Sequence, residues 1–168
     1  MLRTPPGGFE TVAGALHVAG AALAQVRAHA AAAYPEECCG ALLGLDVDVG
    51  AHGIGRVVTR AVAVENRWAG RRESRFLIPA GDVRALEAQA ARSGLSLVGF
   101  YHSHPDGRTE PSRRDRAQAW PWYSYLIVAV SAGGAGQARS WRLADDRHAF
   151  LPEDLAPEDL AAEDEEEG

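Results

Sequence analysis

The chain has no lysine: all 17 basic residues among its 168 are arginine. Taken alone this is codon usage favouring arginine and alanine, a property of the genome and not of the fold. Cysteine is nearly missing too. Cys38 and Cys39, the only two, are adjacent and form no disulfide framework and no Cys-x-x-Cys pair. That points to a reducing, cytosolic setting. A cysteine nucleophile would need a partner imidazole and an activated thiolate, so both thiols read as small buried residues. No apolar run approaches the ~20 residues that cross a bilayer. Arg3, the apolar stretch 12–23 and several Ala-x-Ala triplets imitate a signal peptide, but Pro5, Pro6, Gly7, Gly8 and Glu10 follow Arg3, and His17 interrupts the stretch. We read a first helix there and no export. Internal repeats are absent, and Gly133, Gly134 and Gly136 lack the strand-to-helix setting of a phosphate loop.

Charge is unevenly placed. Before residue 151 there are 17 basic and 14 acidic residues; after it come nine acidic and no basic ones. The body is therefore mildly basic and the overall charge of −6 belongs to the tail. The expected organisation is one folded domain over 1–150, long enough to bury a core. A solvated, disordered and dispensable acidic tail over 151–168 would follow. Arg67, Arg71, Arg72 and Arg75 surround Trp68 in a polar loop. The small basic excess of the body argues against a nucleic-acid partner, and Trp68 is the better candidate for a protein contact.

The pattern predicts a disordered start over 1–8, a short strand near Ala15–Val18 and a helix over Ala19–Ala33. That helix carries Leu23, Val26, Ala30 and Ala33 on one face and stops by Pro35. Strands are expected at Cys39–Asp46, Arg56–Val64, Arg75–Ile78, Leu95–Tyr101 and Tyr123–Val130, with Gln137–Leu143 returning as a hairpin. Pro79 suits the first turn of a helix through Val83, Leu86 and Ala90, and Gly94 its stop. Trp122 and Trp141 read as core or sheet-edge packing, and the Trp120–Tyr123 stretch as a wall of any nearby site.

Chemistry concentrates in His102-Ser103-His104-Pro105 and in Ser112-Arg113-Arg114-Asp115. Side chains two apart on a strand share a face, so His102 and His104 can converge on one ion. Asp115 follows eleven residues after His104, at the start of a helix expected over Ser112–Ala119. Zinc takes imidazole nitrogen and carboxylate oxygen, and a catalytic site uses three protein ligands. Ser112 lies on the same helical face as Asp115 and also suits an N-cap. Asp106 and Glu110 lie nearer to the histidines but read as solvated loop residues. Such a site needs a general base from elsewhere in the chain.

These residues resemble the JAMM (MPN-type, JAB-domain) zinc metallopeptidases, most of all the short prokaryotic members. The shared pattern is His-Ser/Thr-His-Pro, about six residues, then Ser-x-x-Asp, with an upstream glutamate in a Pro-x-Glu-x-x-Gly context. Here Pro35-Glu36-Glu37-Cys38-Cys39-Gly40 supplies it and aligns Glu37. The likeness runs from about residue 19 to about residue 150 and covers all five polar positions. It implies an α/β fold, a mixed curved β-sheet flanked by helices with cytidine-deaminase-like architecture. It implies one zinc ion on His102, His104 and Asp115, lowering the pKa of water toward about 7. Glu37 would act as general base, then acid, and Ser112 would donate to the oxyanion. Ser103, on the opposite strand face, would hold the loop by hydrogen bonds. The implied reaction is hydrolysis of a peptide or isopeptide bond after the Gly-Gly tail of a ubiquitin-like or sulfur-carrier protein. In that light, a chain without lysine also lacks acceptors for such modifiers. Only Arg116 to Tyr123 separate Asp115 from the next strand, which leaves no room for a linkage-selecting insertion. The rival readings are a non-catalytic zinc-binding scaffold, and a zinc deaminase, whose Pro-Cys-x-x-Cys the chain lacks. The oligomeric state stays open, a homodimer included.

Overall fold

The computed structural model describes residues 14–48 and 54–158. The expected disordered start over 1–8 and residues 159–168 lie outside the described residues. Strand β1 (Ala15–Ala19) leads into helix α1 (Gly20–Ala33), followed by β2 (Cys39–Asp48) and β3 (Ile54–Val64). After a long loop come α2 (Ala80–Arg92), β4 (Ser96–His104), α3 (Arg113–Gln118), β5 (Ser124–Ser131), β6 (Gly134–Leu143) and β7 (Phe150–Glu158). The strands lie in the order β1-β3-β2-β4-β5-β6-β7 and the sheet closes on itself. Parallel pairs (β1 with β3 and β7, β4 with β5) mix with antiparallel ones. The fold is thus α/β, a mixed curved sheet flanked by helices.

Helix α1 touches β1, β3, β4, β5, β6 and β7, which places it inside the curve of the sheet. Its buried face is Ala22, Leu23, Val26 and Ala30; small residues let the helix approach strands on several sides. It ends at Tyr34, since the residue before Pro35 is disfavoured in a helix. Leu16, Val18, Leu42, Val98, Tyr101 and Leu126 pack against it. On the other face Leu43, Leu97, Phe100, Tyr125 and Ile127 pack with Leu86 and Ala90 of α2. Both faces are covered, so β4 and β5 read as near-continuous apolar runs. Among the described residues no helix is long and apolar enough to cross a membrane.

Two details aim β4. Leu42 pairs with Gly99 and Leu43 with Leu97, so Val98 has no partner on β2. This bulge re-phases the strand, leaving Phe100, His102 and His104 on the face of α2. Gly40 and Tyr101 are cross-strand partners, and a Cβ at Gly40 would collide with the Tyr101 ring.

Three expectations need correction. The domain boundary at 150 falls at the start of a strand: β7 pairs Ser140 with Glu153 on β6 and Leu16 with Leu155 on β1. Glu153 is buried, accepting from Ser140 Oγ at 2.7 Å and Arg142 Nε at 3.1 Å. The Ser140 hydroxyl and the Arg142 guanidinium offset the desolvation of that carboxylate, so an acid takes an inward position on the strand. The stretch Arg75–Ile78 joins no ladder; Asn66 Oδ1 accepts from Leu77 N instead, at 3.2 Å. Trp122 is not core: it is 51% exposed, roofing Arg56 with the guanidinium 4.5 Å from the ring centroid. Arg56 is only 2% exposed and bonds Asp46, Val98 O, Trp122 O and Ser124 Oγ, so its buried charge is paired and its donors are used.

Candidate metal centre

Strand β4 delivers two imidazoles to one point and the first turn of α3 delivers a carboxylate to the same point. His102 Nε2 and His104 Nε2 lie 3.0 Å apart. Asp115 Oδ2 lies 3.3 Å from the first and 3.2 Å from the second. Ligand atoms ~2.0–2.1 Å from a tetrahedral zinc are about 3.3 Å from one another, so this triangle fits such an ion. Three lone-pair donors aimed at one point, with at most one shared proton between any two, is an arrangement suited to a cation. Among the described residues it is the His/Cys/Asp/Glu group that could hold a metal.

The carboxylate is placed by a capping box. Ser112 Oγ accepts from Asp115 N at 3.1 Å, while Ser112 N donates to Asp115 Oδ2 at 2.8 Å. The loop before it is set by Gly107, which has φ 79 and donates to His104 O at 3.1 Å, a left-handed turn that favours glycine. Trp141 Nε1 donates to Thr109 O at 2.8 Å and anchors the loop to β6. Asp106 and Glu110 stay exposed, as the sequence implied.

Electrostatics follow from burial and proximity. Burial pushes the Asp115 carboxyl up, but His102, His104 and the Ser112 N–H outweigh it and hold the group well below the usual carboxylate range. His102 is 1% exposed, and burial lowers its pKa despite the opposing pull of Asp115. Burial also acts to lower His104, but its hydrogen bond to Asp115 prevails and raises it. The Nδ1 atoms of both rings are buried without a hydrogen-bond partner. Packing orients the rings instead, with Phe76 stacked on His102 at 4.6 Å between centroids.

Glu37 precedes β2 and is 8% exposed. Its backbone is fixed at both ends: Glu37 N donates to Arg72 O at 2.7 Å, and Asn66 Nδ2 donates to Glu37 O at 3.1 Å. The next residue is clamped to β4, since Cys38 N donates to Ser103 Oγ at 2.8 Å and Ser103 N to Cys38 O at 3.1 Å. Ser103 thus has the structural place expected of it. Burial, opposed by His104 and reinforced by Asp115 and Asp106, pushes the Glu37 carboxyl up to about 8. Both cysteines are free and buried, and burial drives their thiols to about 11 and about 12, which leaves no thiolate at neutral pH.

The triad stands between two cavities. Glu37, His104 and Ser112 line a polar cleft of about 520 Å³ with Glu73, Arg108 and Glu110. His102 and Asp115 face a chamber of about 690 Å³ walled by Phe76, Phe100, Trp120 and Tyr123. Of the five polar residues picked out in the sequence, His102, His104 and Asp115 meet at one point, and Glu37 and Ser112 share the cleft with His104. Asn66 and Phe76 were not anticipated. Asn66 sits two residues beyond β3 and binds four backbone groups, a role that composition does not announce. Phe76 lay in a stretch read as a strand.

Residues 20–144 match the family described as prokaryotic homologs of the JAB domain. A relative named desampylase, from Haloferax volcanii, is 42% identical over 120 residues, 71% of this chain and 79% of its own length. A probable TtuB-protein conjugate cleaving protease of Thermus thermophilus is 33% identical over 111 residues, covering 48% of this chain and 74% of its own. A solution structure of a Salinibacter ruber protein superposes with TM-score 0.64 at 39% identity, covering 86% of this chain and 93% of that one.

Proposed function

The chain belongs to the prokaryotic JAB-domain family, and from that premise we propose that it is a zinc metallopeptidase acting on conjugates of a ubiquitin-like or sulfur-carrier protein. The bond hydrolysed is the peptide or isopeptide bond after the carrier's Gly-Gly tail. The observation that carries this reading is that Glu37 and Ser112 open on one cleft with His104, at the edge of a metal-sized triangle. Relatives named desampylase and conjugate cleaving protease support the substrate class.

A zinc ion held by His102, His104 and Asp115 would supply Lewis-acid polarisation and lower the pKa of water toward about 7. Glu37 takes the proton from the attacking water and hands it to the leaving amine. In the metal-free chain burial pushes this carboxyl up to about 8; a cation on the neighbouring ligands would favour the ionised form that accepts the proton. Ser112 accepts from Asp115 N, which leaves its own O–H to donate to the oxyanion. A diglycine tail carries no side chain to clash in a narrow groove, and strand addition would fall at 75–78, on the backbone groups that Asn66 and Arg67 leave unused. Arginines of the 67–75 loop are available for an acidic face of the carrier, and two unoxidised buried thiols suit a reducing compartment.

The test is mass spectrometry of zinc-loaded protein with a diglycine-ended carrier fused to a short peptide, beside the Glu37→Gln variant. Cleavage after the diglycine by the unaltered protein alone is the expected result. Bound zinc without cleavage of any such fusion would turn the reading to a scaffold.

A further inference from the structure

Proton delivery gives the substrate a direction. Glu37 and Ser112 face the polar cleft, so the leaving amine departs on that side. The acyl side then runs into the aromatic chamber behind His102 and Asp115. Diglycine has no side chain with which to fill it. Resting on the peptidase reading for this direction, we infer that the chamber is a specificity subsite for a bulky apolar residue just before the diglycine, and that Arg147 at its mouth selects an acidic neighbour of that residue over a basic one.

The chamber wall is built before any substrate arrives. Trp120 N donates to the Tyr125 hydroxyl at 2.8 Å, fixing the loop that carries Trp120. Phe100 meets Tyr123 edge-on at 5.1 Å. Trp120 is nonetheless 64% exposed, a large apolar surface at the entrance of a cavity that holds two of the three candidate metal ligands. Arg147 lies over the Trp120 ring, its guanidinium 5.4 Å from the centroid, and makes no ion pair among the described residues. It projects from the turn between β6 and β7 in a left-handed conformation, φ 64, which favours glycine. The turn is closed by Ala144 N to Ala149 O at 2.9 Å and Arg147 N to Ala144 O at 2.8 Å. Arg116 Nη1 donates to His148 O at 2.7 Å, tying the turn to the helix that bears Asp115. An arginine is thus held where glycine would fit with less strain, beside the chamber mouth, with its charge left for a ligand. Of the two acids before it in the turn, Asp146 accepts from His148 N at 3.0 Å and Asp145 is exposed, and neither forms an ion pair with Arg147.

Product-type peptides with a free diglycine carboxylate have no scissile bond and test this by calorimetric binding to the zinc-loaded full chain. The three probes are Asp-Phe-Gly-Gly, Asp-Ala-Gly-Gly and Arg-Phe-Gly-Gly. Replacing Phe by Ala should weaken binding about tenfold or more, the burial of one aromatic side chain. Replacing Asp by Arg should weaken it about fivefold, as expected of a partly solvated charge contact. Arg147→Gly, which relieves the left-handed backbone, should erase the charge preference and keep the apolar one; Arg147→Glu should reverse the charge preference. Equal affinities of the Phe and Ala peptides, a charge preference unmoved in both variants, or no binding of any peptide would each overturn the inference. Failure of the unaltered protein to cleave fusions, with this binding order intact, would instead overturn only the peptidase reading.

Discussion

The polar cleft and the aromatic chamber meet at the same three side chains and are built by opposite means. Around Glu37 the restraints are directional: Arg72 O, Asn66 Nδ2 and Ser103 Oγ fix the backbone on either side of it. Around Phe76, Phe100 and Tyr123 they are areas of ring against ring. A proton-transferring atom must sit within hydrogen-bond reach of its target, whereas a wall that binds by burial tolerates small shifts. Substitutions in the cleft should therefore show in kcat, and those in the chamber in KM.

The largest effect removes both cavities at once. Strand β7 closes the sheet between β6 and β1, and the turn before it carries Arg147. A chain ending at Ala149 should lack, by circular dichroism, the cooperative melting transition expected of the full chain. A sharp melt near the original temperature would mean that the sheet does not depend on closure.

Next come substitutions at the junction and in the cleft. His102→Ala and His104→Ala should each leave the purified protein with well under one zinc per chain by elemental analysis; full occupancy in either would break the ligand set. Glu37→Gln should retain zinc while kcat falls about 10²–10⁴-fold, the usual worth of a positioned acid–base group. Near-normal turnover would move the base elsewhere.

Glu37 also predicts a stability profile for the metal-free protein. Its carboxyl is held at about 8 by burial, against an ordinary value of 4.5. Between those values the unfolded chain releases a proton that the folded chain keeps, so the native state loses stability as pH rises through that window. Glu37→Gln removes the titration. Its melting temperature should exceed that of the unaltered metal-free protein at pH 8, with the gap closing toward pH 4.5. Parallel melting curves against pH would show that the carboxyl is not desolvated as described.

Much of the cleft was legible in the sequence because its logic is local. Alternation on β4 puts His102 and His104 on one side, and Ser112-x-x-Asp115 spans one helical turn. Both patterns hold whatever the rest of the chain does. Glu37 came from family resemblance, since no local pattern ties it to residues 65 or more positions away. The chamber was largely illegible. Phe76 and Arg147 reach His102 and Trp120 only through closure of the sheet and the β6–β7 turn. Strand β7 was hidden by its acids: Leu151 and Leu155 carry its apolar alternation, but Glu153 is buried and paired rather than solvated.

The smallest expected effect is at Phe76, which bears on the chamber and touches a metal-site ring at the same time. Phe76→Ala deletes apolar surface without deleting a proton donor or acceptor. On a fusion with a bulky residue before the diglycine, KM should rise about tenfold, while kcat stays within about twofold. On a fusion with alanine there, the two proteins should differ little, because the small side chain never filled the space. A fall in kcat with KM unchanged on both fusions would place Phe76 on the chemical side, as the packing that holds His102 in line for want of any hydrogen bond to its Nδ1. The division between a hydrogen-bonded cleft and a packed chamber would then fail at the one ring the two share.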